Sequence, residues 1–143
     1  MISLDNISKS FGTSNAVSNV SFSVPDGAFL VLLGPSGCGK STMLRMLAGL
    51  DQPTSGKMLF GDTLVADGDT GNSLPPAERN AGLVFQSYAL WPHMTVAGNI
   101  EWPLKIAKLA GEQRRTRVLE AMEMLGIEKL ANRYPGEISG GQQ

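Results

Sequence analysis

With a single cysteine, Cys38, the chain can form no internal disulfide, and that usage fits a reducing compartment. Charge of either sign is also scarce in excess. Twelve Lys and Arg against thirteen Asp and Glu leave a formal charge of −1 with no basic stripe, which argues against a nucleic-acid binder. No apolar run approaches the roughly 20 residues of a membrane-spanning helix. The start, Met1-Ile2-Ser3-Leu4-Asp5-Asn6, has neither the charged nor the apolar region of a secretory signal, so a cytoplasmic protein is expected. The 143 residues are the length of one ordinary domain and can bury a real core.

Glycine, in contrast, is concentrated where it has a use. Gly34-Pro35-Ser36-Gly37-Cys38-Gly39-Lys40-Ser41-Thr42 fits the phosphate-binding P-loop, G-x-x-x-x-G-K-[ST], at every required position. The run Ala28-Phe29-Leu30-Val31-Leu32-Leu33 before it reads as a buried strand. Ser41 to Ala48 after it, with Met43, Leu44, Met46 and Leu47, reads as a helix stopping at Gly49. Glycines 34, 37 and 39 allow successive N–H groups to point into one concavity, and a helix starting there adds its positive dipole end. Lys40 supplies a mobile cation for the β- and γ-phosphates, and the Ser41 hydroxyl is placed to ligate Mg²⁺. The plain alternative is a glycine turn followed by a surface lysine; the flanking strand and helix pattern argues against it.

Around the loop, residues 1–25 alternate: Ile2 and Leu4, then Val20, Phe22 and Val24 separated by serines, the period of half-buried antiparallel strands. Asp51 to Gly56 is a turn, Lys57 to Phe60 a short strand, residues 66–76 a polar loop, and Ala81 to Phe85 another apolar strand ending at Gln86. From residue 96 the pattern becomes helical, and Val118, Ala121, Met122 and Leu125 make one core-facing stripe. Asp67, Asp69 and Glu78 fall at positions 1, 3 and 12 of a Ca²⁺ loop, but Asn72 stands where that loop requires glycine; an insertion in a surface turn is the better reading. The expected architecture is α/β: a nucleotide-binding core with an antiparallel β subdomain, then the start of a helical subdomain.

Three further segments make the chain resemble the ATP-binding subunit of an ABC transporter. Lys9-Ser10-Phe11-Gly12 is similar to that family's aromatic A-loop, Val84-Phe85-Gln86-Ser87-Tyr88-Ala89-Leu90 to its Q-loop, and Ile138-Ser139-Gly140-Gly141-Gln142-Gln143 to its signature motif. Pro92-His93-Met94-Thr95-Val96 and Arg133-Tyr134-Pro135 resemble the importers of the sugar, polyamine, iron and sulfate group. The resemblance covers nearly the whole chain. It implies the N-terminal part of one ABC ATPase domain over residues 1–143, with 1–86 as β subdomain and P-loop core and 87–143 as Q-loop, helical subdomain and signature.

By the same resemblance, ATP is held by Phe11 against adenine, by Gly34, Pro35, Ser36, Gly37, Cys38, Gly39, Lys40, Ser41 and Thr42, and by Ser139, Gly140, Gly141 and Gln142 acting on a partner's ATP. Lys40 and Gln86 are the implied catalytic residues, and Ser41 and Gln86 the implied Mg²⁺ ligands. Each has a plain rival: Phe11 as a core aromatic, Gln86 as a polar strand end, Ser-Gly-Gly as a turn. Cys38 reads as a small filler, with a reactive thiol as its rival. His93 reads as a surface residue facing a membrane partner, and Trp91 and Trp102 as packing or docking aromatics. The implied partners are a second ATP-binding subunit in a head-to-tail dimer, permease subunits met through the Q-loop region and, indirectly, a solute-binding protein, with no nucleic acid. The implied location is the inner face of the cell membrane, as a peripheral cytoplasmic subunit.

Two residues depart from the family pattern: Gly98 stands where relatives usually carry Glu, and Ile138 where they carry Leu. The chain also contains no run of four apolar residues followed by Asp-Glu, the Walker B strand, and no switch histidine. The resemblance therefore implies an ABC-type ATPase whose present stretch binds nucleotide weakly and hydrolyses little or none. Two other readings stand beside it: a non-catalytic nucleotide-binding remnant, and another P-loop kinase or GTPase, although no guanine-selecting Asn-Lys-x-Asp occurs.

Overall fold

The alternation in the first 25 residues becomes two long antiparallel strands, β1 (Ile2–Phe11) and β2 (Ser14–Val24), in the computed structural model, which describes residues 1–143. Neither strand is regular. Asn6 and Asn19 take left-handed backbone angles (φ 49° and 51°), and the pairing register shifts between Leu4 and Ile7 and between Ile7 and Lys9. Asparagine tolerates this conformation better than most side chains, which suits it to a bulge. At each irregularity an asparagine N–H donates to a serine on the facing strand: Asn6 N to Ser21 Oγ at 2.8 Å, and Asn19 N to Ser8 Oγ at 2.9 Å. The serines between the apolar residues thus repair the ladder as well as face water.

β3 (Ser55–Phe60), β4 (Thr63–Asp67) and the short β5 (Asn72–Ser73) complete an antiparallel sheet of five strands in the order β2-β1-β3-β4-β5. The expected helix after the P-loop is present as α1 (Lys40–Leu47). Its Met43 and Met46 bury against Leu4, Ile7, Met58 and Val65 of the sheet, which makes the core of Met1–Leu83, the first of two units in the chain. Part of the expected polar loop is strand: Ala66 and Asp67 end β4 and pair with Ser73 and Asn72. Asp67 Oδ1 accepts the N–H groups of Asp69 (3.0 Å) and Thr70 (3.2 Å), while its Oδ2 lies 3.7 Å from Lys57 Nζ. That carboxylate closes a hairpin turn, which is what a surface insertion needs.

The second unit, Val84–Gln143, packs α2 (Val96–Ile106) on α3 (Gly111–Leu125) through Val96, Val118 and Met122, with Ile100, Leu104 and Leu130 around them. Thr95 caps α2, its Oγ1 accepting from Gly98 N at 3.2 Å, so Gly98 is helical despite its low propensity. Of the expected stripe on α3, Val118 and Met122 are buried and Leu125 is exposed.

Two expected strands do not form. Ala28–Leu33 and Ala81–Phe85 belong to no strand or helix, and none of the five strands pairs with either. A buried parallel strand needs hydrogen-bonded neighbours for its backbone N–H and C=O groups. Within these residues no such neighbour exists, and Phe29, Leu33 and Val84 stay exposed.

Candidate nucleotide-binding site

The glycines of the P-loop do what their spacing predicts. Gly34, Gly37 and Gly39 all have positive φ, at 154°, 82° and 92°. At Gly39 the requirement is steric as well, because a Cβ there would run into the carbonyl oxygen of Ala16 in β2. The loop therefore turns into α1 hard against the sheet, and Met43 N donates to Gly39 O at 2.9 Å to open the helix. Met43 and Met46, buried in the core, hold that helix in place.

Lys40 folds back over the loop. Its Nζ donates to Gly34 O (2.7 Å) and Pro35 O (2.8 Å) and lies 3.3 Å from Cys38 Sγ. The ammonium thus sits inside the turn of the glycine loop that leads into α1, whose N-terminal end carries the positive end of the helix dipole. The Cys38 thiol lies 2.7 Å from where a Cβ on Gly34 would fall, which agrees with a filler role, although the residue is exposed. A cavity of about 530 Å³ opens beside the loop, walled by Ala16 and Val17 of β2 and by Gly39, Lys40 and Met43. This is within the usual size range of small-ligand sites. Phe11 ends β1, half-exposed, with Lys9 Nζ 4.9 Å from its ring centroid, and it does not line that cavity.

The structure brings residues 34–42 together in the first unit, while Gln86 and Ser139–Gln142 belong to the second. Gln86 is exposed. Tyr88 and Ala89 just after it both have positive φ (23° and 54°), a costly conformation for side-chain-bearing residues. The Tyr88 hydroxyl lies 2.7 Å from where a Cβ on Gly140 would fall, so the segment after Gln86 rests on the signature-like turn. That turn is a single 3₁₀ turn, Gly140–Gln142, in which Gln142 N donates to Ser139 O and Ser139 N donates to Gln142 Oε1, each at 2.9 Å.

Three residues given no role of their own by the sequence organise the chain locally. Tyr88 is one. Asn99 is another: its Oδ1 accepts from Trp91 N (2.7 Å), and its Nδ2 donates to the carbonyls of Trp91, Met94 and Thr95 at 3.0–3.2 Å. It thereby holds the turn on which the Trp91 and His93 rings meet at 5.9 Å. The third, Arg79, is buried at the far end of α1. Nothing local marks Arg79 as buried, since it follows the exposed run Pro75-Pro76-Ala77-Glu78, which has no apolar periodicity.

Comparison with known proteins places this geometry. Residues 17–143 match the family model described as ABC transporter, and the chain belongs to that family. The P-loop fold with an N-terminal antiparallel β subdomain and a helical subdomain, and the importer-type resemblance, are borne out. Among relatives, the trehalose/maltose import ATP-binding protein MalK of Thermococcus litoralis is 51% identical over 142 residues, 99% of this chain and 38% of the relative. The spermidine/putrescine import ATP-binding protein PotA of Nitrosomonas eutropha is 46% identical over 143 residues, 100% of this chain and 38% of the relative. Among solved structures, the dimeric bacterial ABC transporter cassette MJ0796 matches with a TM-score of 0.80 at 37% identity, covering 99% of this chain and 65% of that one. The chain thus spans about 38% of the length of these import proteins. No helix is long and apolar enough to cross a membrane.

Proposed function

We propose that the chain is the nucleotide-binding portion of an ABC importer ATPase, which binds ATP with its P-loop and, within the longer protein, couples ATP hydrolysis to solute uptake. The observation that carries this reading is the Lys40 ammonium lodged in a loop of positive-φ glycines at the start of α1. Such a site suits a polyphosphate. On phosphate binding Lys40 exchanges the carbonyls of Gly34 and Pro35 for phosphate oxygens, a charge-assisted replacement. The N–H groups at the start of α1 would face the phosphates and the cavity walls Ala16 and Val17 the nucleoside, while the Phe11 ring, outside that cavity, is the adenine surface that the family resemblance implies. The Ser41 hydroxyl would hold Mg²⁺, which would supply charge neutralisation on the phosphates, and the Gln86 carbonyl, in the second unit, is the further ligand that the family resemblance implies. Ser139, Gly140, Gly141 and Gln142 would meet the nucleotide of a second ATP-binding subunit, and the exposed Trp91 and His93 would meet a permease subunit at the inner membrane face. Relatives named for a sugar and for a polyamine are 51% and 46% identical, so similarity over this stretch does not name the solute.

Binding and hydrolysis of Mg·ATP by the chain, by Lys40→Ala and by a longer chain carrying an Asp-Glu strand provide the test. Loss of a net charge-assisted contact of about 1.5–3 kcal/mol predicts about 10- to 100-fold weaker ATP binding for Lys40→Ala. Turnover is expected only in the longer chain. Lys40-dependent turnover by the 143 residues alone would sink the assignment of the missing carboxylates. Negligible turnover in the longer folded chain would favour the non-catalytic reading.

A further inference from the structure

Arg79 is 3% exposed, and no carboxylate is among its partners. Its guanidinium donates Nε–H to Leu74 O (2.9 Å), Nη1–H to Met46 O (2.6 Å) and Leu47 O (3.2 Å), and Nη2–H to Ser73 Oγ (2.6 Å). Burial lowers its pKa from the ordinary value, but a guanidinium remains charged throughout the range in which proteins fold. Two of the acceptors are last-turn carbonyls of α1, groups that helix geometry leaves short of partners and that carry the negative end of the helix dipole. The other two lie at β5 and just after it. Gly49 makes room for the arrangement: at φ 79° it ends the helix, and a Cβ there would fall 2.6 Å from Arg79 Nε.

One buried cation therefore fastens the C-terminal end of α1 to the hairpin of β4 and β5, while the N-terminal end of the same helix is the P-loop. A helix of eight residues is about 12 Å long and moves as a rod, so an axial shift at Leu47 reappears at Lys40 and Ser41. We infer that Arg79 is a positioning residue for nucleotide binding, one that sets the depth of α1 so that Lys40 and Ser41 meet the β- and γ-phosphates. This rests on the nucleotide-binding reading above. A mislocated P-loop weakens contacts to the terminal phosphates and leaves the nucleoside contacts alone. The distinguishing quantity is therefore the ratio of ATP to AMP affinity, because AMP lacks the phosphates that Lys40 reaches.

Both affinities are to be measured by competition for wild type, Arg79→Met, Arg79→Lys, Ser73→Ala and Lys40→Ala, with melting temperatures alongside. Weakening of one charge-assisted contact to the terminal phosphates predicts about a tenfold loss of ATP affinity in Arg79→Met with AMP affinity within about twofold. Arg79→Lys, which keeps the charge and some donors, is expected to recover most of the ratio. Ser73→Ala, which removes one hydrogen bond, should lose about two- to threefold. If Arg79→Met does not fold, the lysine and serine variants decide. ATP and AMP affinities falling together, in step with melting temperature, would make Arg79 a purely structural residue and overturn the inference. So would a wild-type ratio in every folded variant at Arg79 and Ser73. If wild type binds ATP no better than Lys40→Ala, the nucleotide reading fails and takes this inference with it.

Discussion

Strand β3, Ser55-Gly56-Lys57-Met58-Leu59-Phe60, carries a glycine and a lysine, whereas Ala28-Phe29-Leu30-Val31-Leu32-Leu33 is apolar throughout. Yet Met58 is fully buried, while Phe29 is 93% and Leu33 88% exposed. The difference is in the backbone. β3 has β1 on one side and β4 on the other, so its N–H and C=O groups are paired and its alternate side chains are carried onto the core. Ala28–Leu33 has no neighbouring strand, and neither has Ala81–Phe85, where Val84 is 96% exposed. Apolar character makes burial favourable, but a strand is buried only where its hydrogen bonds have somewhere to go.

The sharpest way to break this comparison is to cut side chains from both regions. Met58→Ala removes a fully buried side chain and is expected to cost about 2–5 kcal/mol. Val84→Ser alters an exposed position and should stay within about 0.5 kcal/mol of wild type. Urea unfolding at matched slope measures both. A cost above about 1 kcal/mol at Val84 would mean that the segment packs in solution, and the contrast would disappear.

Hydrogen exchange tests the backbone half of the argument. Amides of Leu4, Ile7 and Met58 should exchange at least about 100-fold more slowly than those of Leu30 to Leu33 and Val84 to Phe85, since exchange follows the free energy of local opening. In a longer chain that supplies an Asp-Glu strand, protection should spread into both apolar segments. Equal protection in the 143 residues and in the longer chain would show that no further strand is needed.

What was legible in the sequence follows the same division. The P-loop, the strands of residues 1–25 and the helices were readable because their determinants are local: glycines of positive φ, alternation, and apolar spacing of 3.6. Ala28–Leu33 and Ala81–Phe85 were misread as strands because their composition is that of a buried strand, and composition carries no information about whether a neighbour exists. Residues 66–76 read as loop because Asp67 and Asn72 are turn formers, although their backbones pair across a hairpin. The contacts of Arg79, Asn99 and Tyr88 were invisible for another reason. Each residue acts on groups brought near it by the fold, Arg79 on the end of α1 above all, and no periodicity marks that.

The smallest expected effect lies on the rim of the second unit, where charge adds to the apolar packing of α2 on α3. Glu101 takes a hydrogen bond from Lys105 Nζ on its own helix (2.9 Å) and another from Arg114 Nε on α3 (3.0 Å). These two bonds, Lys105's first, hold its pKa below the ordinary 4.5. A carboxylate whose pKa is depressed on folding contributes stability above its unfolded pKa and loses it as pH falls through the folded one. Glu101→Gln should therefore melt slightly below wild type at pH 7, with the gap closing as pH drops below 4.5. Added salt should shrink the gap at pH 7, because both cations are solvent-accessible. A gap that persists once pH has fallen far enough to protonate Glu101 in the folded chain would show that it acts through its packing across the helix pair, and α2 and α3 would then depend at their rim, as β3 does in the sheet, on groups whose partners are fixed by the fold.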